Sequence, residues 1–250
     1  MLKPWHFPLL FGTGLAAGFV DAIAGGGGLI TLPVLLSLGL GPQEALGTNK
    51  LQATFGSGSA AWHYAQAKTV LLSDCGRGFV FSLVGAALGA WAVQQLRRSF
   101  LEHAIPFLLF AVALYTFFTP RLGADDLHPR MRRGWFDLCF GLLLGFYDGF
   151  FGPGTGTFWT MAFMLLLGFN LTRATAYTKV MNFGSNLSSL IFFIARGNAL
   201  FAAGLTMGVG QLLGARIGSR MVIARGTKFI RPIFIAAVLA LTLKLLWDHF

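Results

Sequence analysis

Apolar residues follow one another along most of this chain in runs of helical length, separated by short polar stretches. A helix that crosses a bilayer needs about 20 mostly apolar residues, so some of these runs can span and others are too short. The runs in the first half are Trp5–Ile23, Leu29–Leu40, Leu51–Gln66, Gly78–Gln94 and Phe100–Phe118. Those in the second half are Phe136–Phe151, Thr157–Phe169, Thr178–Ala195, Leu200–Ile217 and Pro232–Trp247.

The second run of each half, Leu29–Leu40 or Thr157–Phe169, is too short for a simple crossing and follows a glycine-rich break. These breaks are Gly25–Gly28 and Gly152–Gly156. Broken backbone in lipid leaves polar groups unpaired, so it is expected where protein buries it or where it lines an aqueous cavity. Interrupted helices at matching places in two halves indicate a transporter site. The alternative is that the glycines only allow close helix packing, although packing does not require four in a row.

The two halves repeat one pattern. The stretch Gly18–Gly27 returns as Gly145–Gly154, and Lys50 returns as Lys179. We therefore predict an all-α polytopic membrane protein of about eight transmembrane helices, some short or re-entrant, built from two homologous repeats. The predicted units are a first repeat over 1–119, a polar linker over 120–135 and a second repeat over 136–250.

The basic residues predict that the repeats are inverted. If the linker and Arg216–Arg231 face the cytoplasm, most lysines and arginines lie inside and only Arg97, Arg98 and Arg196 lie clearly outside. Such an asymmetry sets membrane orientation. Inversion requires an odd number of crossings in each repeat.

Composition supports the same class. Hydrophobic residues make up 55% of the chain and charged residues 11%, which is too few to cover a soluble surface. The net charge of +10 comes from short loops and does not indicate nucleic acid. Cys75 and Cys139 are too few for a disulfide framework, and neither a catalytic motif nor metal-ligand spacing occurs. We expect no enzyme activity, no cofactor and no metal, and the sequence does not indicate whether the chain forms homo-oligomers.

The breaks carry the candidate chemistry. A helix that starts after a break directs free N–H groups and the positive end of its dipole into it, which suits an anion. At helical spacing, Lys50, Thr54 and Ser57 share one face, and Lys179, Asn182 and Asn186 share another. The predicted substrate-binding residues are Gly25, Gly26, Gly27, Gly28, Asn49, Lys50, Gly152, Gly154, Gly156, Thr178, Lys179 and Asn182.

Two alternatives stay open at these positions. Each lysine opens an apolar run and could instead snorkel from a helix end to the membrane surface. Asp21 and Asp148 lie four residues before their breaks and could carry protons, cap the following helix or pair with a lysine. Among the remaining polar residues, Gln211 is the one candidate that we expect to line the site.

The motifs Gly18–Ile30, Ala45–Gln52, Gly145–Gly156 and Gln211–Arg220 resemble the sulfite exporter TauE/SafE family, most closely its YfcA-type branch. The resemblance covers essentially the whole chain. It implies a multi-pass permease of the bacterial inner membrane for small anions, notably sulfite and organosulfur compounds such as sulfonates. We therefore predict a secondary transporter whose partners are a small anion and the lipid bilayer. A passive anion channel and a lipid-headgroup flippase are the alternatives.

Overall fold

The computed structural model describes residues 2–118 and 126–225, and these residues form nine α-helices and no strand. A short 3-10 turn, Leu72–Asp74, joins the third and fourth helices. The helices are α1 His6–Ala24, α2 Gly28–Ser37, α3 Pro42–Gln66, α4 Gly76–Val93, α5 Arg98–Phe118, α6 Arg133–Phe150, α7 Thr155–Leu167, α8 Leu171–Ala195 and α9 Phe201–Arg225. The prediction of an all-helical chain is confirmed for the described ranges.

Helix bounds differ most from the apolar runs at three ends. The prediction that the third run of each half starts near its lysine is wrong, because α3 begins at Pro42 and α8 begins at Leu171. The first turns of both helices are polar, so hydropathy does not detect them. Helix α9 continues to Arg225, past the predicted end at Ile217, because basic residues can extend a helix beyond its apolar part. The run Pro232–Trp247 lies outside the described residues. So do residues 120–125 of the linker.

The surface of the described part is apolar. Trp62, Leu88, Trp91, Leu143 and Ile191 are exposed, as are many other large apolar side chains on the outer faces of the helices. Among the described residues, three helices are long and apolar enough to cross a membrane, namely α1, α4 and α5 within Arg98–Tyr115. Helices α2 and α7 are apolar but shorter, with 10 and 13 residues. An apolar outer surface of this kind suits lipid and not water.

Two apolar clusters form the core. Helices α2 and α5 contribute the most residues to the first cluster, and α7 and α8 contribute the most to the second. Polar side chains are nevertheless buried in α3 and α8, which each have 25 residues and contact each other in the middle of the molecule. Buried polar groups require hydrogen-bond partners, so the candidate site is expected where these two helices meet.

Helix directions follow from the contacts. Helix α3 runs antiparallel to α8, since Gly47 lies against Phe193 and Gly58 lies against Phe183. Helix α1 packs most extensively against α9, and α4 does so against α6. Both pairs are parallel and touch through glycines, for example Gly18 on Gln211 and Gly214 on Leu15.

The remaining contacts connect these pairs. Helix α3 is parallel to α9, because Gly204 lies against Leu51 and Gly208 lies against Phe55. Helices α1, α3 and α9 therefore share one direction. Helix α4 is parallel to α8, since Gly184 lies against Phe79 and the Ser188 hydroxyl donates to the Leu83 carbonyl. Helices α4, α6 and α8 thus share the opposite direction, and α1 and α6, which carry the two matching aspartates, run in opposite senses.

Candidate functional site: two helix breaks and two crossed ion pairs

The two glycine-rich breaks meet backbone to backbone at the centre of the fold. Helix α1 ends at Ala24 and α2 begins at Gly28, while α6 ends at Phe150 and α7 begins at Thr155. A Cβ added to Gly25 would lie 2.6 Å from the carbonyl carbon of Gly156. Gly25 also has a φ of 74°, a backbone conformation that residues with a Cβ rarely adopt. The contact therefore requires glycine on both sides.

The first turns of α2 and α7 face a small cavity of about 30 Å³, which both Gly28 and Gly156 line. That volume holds roughly two water molecules. Within residues 2–118 and 126–225, the backbone N–H groups of Gly28 and Gly156 have no hydrogen-bond acceptor. Free N–H groups in a first helical turn carry the positive end of the helix dipole. The cavity is therefore bordered by two sources of partial positive charge.

Two ion pairs cross between the halves of the chain. Lys50 on α3 donates to an Asp148 carboxylate oxygen at 2.6 Å, and Lys179 on α8 donates to an Asp21 oxygen at 2.9 Å. Each lysine thus pairs with the acid that lies in the other half. Breaking a buried pair by removing one partner leaves an uncompensated charge, so both pairs hold the halves together.

The structure places both lysines in helix interiors. Each lies more than two helical turns after the first residue of its helix, with side chains 1% and 0% exposed for Lys50 and Lys179. A snorkelling lysine would extend its ammonium group to the surface. The snorkelling interpretation is therefore wrong, because the ammonium groups end on buried carboxylates.

The two carboxylates have additional donors. The Gly27 N–H donates to Asp21 at 3.0 Å, so this carboxylate also caps the start of α2. The Ser185 hydroxyl donates to Asp148. Asp21 is 18% exposed and Asp148 only 4%, so Asp21 is the more accessible of the two acids. Of the alternatives for the two acids, pairing with a lysine is the arrangement seen in the structure for both. Asp21 also caps a helix.

Most of the predicted site residues come together around the cavity. Its lining includes both acids, Lys50 and several further predicted residues, namely Gly26, Gly28, Asn49, Gly152, Gly156 and Asn182. Asn49 accepts from Gln52 and Thr31, which fixes its amide.

The other predicted residues lie next to the cavity or away from it. Gly25 forms the contact between the breaks, and Gly27 is bonded to Asp21. The Thr178 hydroxyl is 3.2 Å from the Thr160 hydroxyl, outside the lining. Lys179 lies behind Asp21. Gly154 has a φ of 83° and packs against Val112 of α5, so it shapes the break and does not face the cavity.

Sequence reasoning missed or underrated some of the lining. Thr155 and Asn186 border the cavity, and Asn186 accepts from Lys50 at 3.3 Å. Gln211, from the middle of α9, also borders it. A lone glutamine in an apolar helix was the available signal for Gln211, and Asn186 belonged to a recognised polar face. Nothing in the sequence distinguishes Thr155 from an ordinary first-turn threonine.

The described residues contain no group of three or more histidines, cysteines, aspartates or glutamates that could hold a metal ion. The site consists of charged side chains and hydrogen-bonding groups around a small cavity between helix ends. Such an arrangement can replace the hydration shell of a small polar solute.

Comparison with known proteins identifies the family. A family model described as "Sulfite exporter TauE/SafE" matches residues 10–245. The chain belongs to the sulfite exporter TauE/SafE family. The resemblance noted from the sequence motifs is thereby confirmed, and with it the assignment to membrane proteins.

Curated relatives in this family carry names of transporters and not of enzymes. "Probable membrane transporter protein YfcA" of Escherichia coli K12 is 44% identical over 248 residues, which cover 99% of this chain and 92% of the relative. "Probable membrane transporter protein" of Haemophilus influenzae is 44% identical over 241 residues, covering 96% and 94%. "Probable membrane transporter protein ORF9" of a Sinorhizobium species is 46% identical over 239 residues, covering 96% and 92%. No solved structure matches the chain. The TauE/SafE protein described here is a membrane transporter.

Proposed function

We propose that this TauE/SafE protein is a secondary transporter of a small anion, with sulfite or an organosulfur anion such as a sulfonate as its substrate. The observation that carries the proposal is the cavity between the two breaks, which two helix N-termini and Lys50 border, with Lys179 paired to the lining acid Asp21. A dehydrated anion requires fixed donors, and dipoles count for more where the dielectric constant is low. The name of the matching family model, a sulfite exporter, supports the substrate class.

The proposed architecture is a pair of inverted repeats in a bacterial inner membrane, each with an odd number of crossings. Two findings support inversion. Helices α1 and α6 run in opposite senses, and α3 runs antiparallel to α8, its counterpart in the other half. Repeats related by an axis in the membrane plane have this property. The residues of the repeats are those proposed from the sequence, 1–119 and 136–250, joined by the linker over 120–135.

The crossed pairs suggest how an anion could be coupled to a proton. An anion that enters the cavity competes with a carboxylate for its lysine. The displaced carboxylate then takes up one proton at an oxygen, so the positive charge of the lysine is left to balance one negative charge of the cargo. Asp21 is the better candidate because it is the more exposed acid.

The alternatives have less support. A passive channel requires a continuous open path, whereas the described cavity has room for only roughly two waters. A headgroup flippase requires a polar lateral groove. The crevice between α3, α4 and α8, of about 440 Å³, has no charged side chain in its lining. A second crevice of about 550 Å³, beside the start of α5, has Arg97 at its edge but is otherwise lined mainly by apolar residues.

Proteoliposome uptake tests the proposal. With a pH gradient imposed, we expect radiolabelled sulfite to accumulate inside above its outside concentration, and chloride and phosphate to compete poorly. Asp21→Asn should abolish uptake that the gradient drives while sparing anion-for-anion exchange, and Glu102→Gln, at an exposed acid on α5, should behave as the parent. Flux that never exceeds the outside concentration would instead favour a channel.

A further inference from the structure

Two buried amides border the cavity without protein partners. Asn182 on α8 is 5% exposed and Gln211 on α9 is 2% exposed, and both line the cavity. Their side-chain oxygens have no hydrogen-bond partner within the described ranges. A buried polar group that makes no hydrogen bond destabilises the folded protein, so such groups require an explanation.

The repeat does not account for these amides. At the offset that relates Lys50 to Lys179, Asn182 corresponds to Ala53 and Gln211 corresponds to Ser82. Ala53 has no polar side chain, and the Ser82 hydroxyl donates to the Met181 carbonyl. The lysines and acids therefore recur in both halves, whereas the two cavity amides with unpartnered oxygens come from the second half. A further amide oxygen without a partner in the described residues, that of Gln52 on α3, lies outside the cavity lining.

Each amide lies next to the helix start that we propose to hold the anion. The Asn182 amide nitrogen is 3.1 Å from where a Cβ on Gly156 would stand. The Gln211 amide nitrogen is 3.3 Å from the equivalent point on Gly27, and the oxygen of the same amide touches Gly56. Either end of an amide can turn toward a ligand, so each group can donate to an oxygen or accept from a hydroxyl.

The charged groups leave the discriminating contacts to these amides. Both lysines already pair with carboxylates, so each exerts little net charge on a ligand. The amide oxygen of Asn49 already accepts from Gln52, and that of Asn186 already accepts from Lys50. Among the described cavity side chains, Asn182 and Gln211 are the amides whose buried oxygens have no hydrogen-bond partner.

We propose that Asn182 and Gln211 are the specificity-determining residues of the site: their amide N–H groups donate to the oxygens of an oxyanion, their amide oxygens accept from its hydroxyl where it carries a proton, and they thereby select it from spherical anions such as chloride. This rests on the proposed function, because it assigns contacts within the same cavity. Their one-sided placement also orients a ligand that has one unlike substituent, as a sulfonate has. A chloride ion gains less from them, since it needs no defined direction of hydrogen bonding.

The test measures sulfite and chloride binding to the purified full-length protein by calorimetry, together with its melting temperature. Gln211→Leu and Asn182→Leu should each weaken sulfite binding tenfold or more, a change of about 1.4 kcal/mol, with a smaller effect on chloride. The melting temperature should stay level or rise, because an unpaired buried group is removed. The matched control is Gln94→Leu, at a glutamine near the end of α4 that is bonded to Ala90 and Asn198, and it should bind sulfite as the parent does.

The outcomes separate this inference from the proposed function. If the parent binds sulfite and both amide variants bind it equally well, the amides are not contacts and the inference fails while the proposed function stands. If the parent binds neither sulfite, methanesulfonate nor chloride, both fail. If Gln211→Leu does not fold, Gln211→Met keeps the side-chain length without the amide and decides the same question.

Discussion

Removing the ammonium group of Lys50 should destabilise the protein strongly. The Asp148 side chain is only 4% exposed. In Lys50→Met its carboxylate therefore remains buried, with the Ser185 hydroxyl as its one remaining side-chain donor among the described residues. A buried pair broken on one side costs about 3–5 kcal/mol. At about 2–4 °C per kcal/mol for a chain of this size, the melting temperature should fall on the order of 10 °C.

The double variant separates charge from packing. Lys50→Met/Asp148→Asn removes both charges and retains an acceptor for Ser185, so most of the lost stability should return. The matched control is Lys68→Met, at an exposed lysine after α3, which should change stability by less than about 0.5 kcal/mol. Thermal unfolding in detergent measures all four proteins. A single variant as stable as the parent, or a double variant no better than the single one, would refute the claim that this pair is a buried tether.

Three further predictions concern packing, topology and thiol chemistry. Gly156→Ala places a methyl group 2.8 Å from a backbone carbon, so it should cost about 1–3 kcal/mol and weaken sulfite binding, whereas Gly12→Ala, with nothing within 4 Å, should do neither. In an inverted arrangement Ser73→Cys should react with a membrane-impermeant maleimide only from the cytoplasmic side and Arg196→Cys only from the periplasmic side; labelling of both from one side would contradict inversion. Burial raises the pKa of Cys75 to about 12, so its thiol stays protonated at neutral pH and peptide mapping should find it alkylated only after denaturation.

Local patterns predicted the polar centre well, because its parts are marked in the sequence. Glycine runs interrupt apolar runs at Gly25–Gly28 and Gly152–Gly156, and charged residues are rare enough in such a chain that Asp21 and Lys50 stand out. The structure brings these parts to one cavity. Repetition helped as well, since a pattern found in one half directed attention to the same place in the other.

Long-range pairing could not be predicted in the same way. Asp21 and Lys179 are 158 residues apart, and no periodicity shows which lysine meets which acid. The starts of α3 and α8 were placed too late because their first turns are polar, and the lysines were consequently assigned to helix ends. Whether the Gln211 side-chain oxygen finds a hydrogen-bond partner among the described residues depends on its neighbours in space. The sequence could therefore only suggest that Gln211 lines the site.

The position of a bound anion tests the central claim most directly. A crystal structure of the protein with selenite, located by its anomalous scattering, would show where an oxyanion of the sulfite type binds. We predict one strong peak between the breaks, within hydrogen-bond distance of the N–H groups of Gly28 and Gly156 and of the amides of Asn182 and Gln211. A cavity that holds no selenite, with peaks only at exposed arginines such as Arg216 and Arg220, would contradict the account.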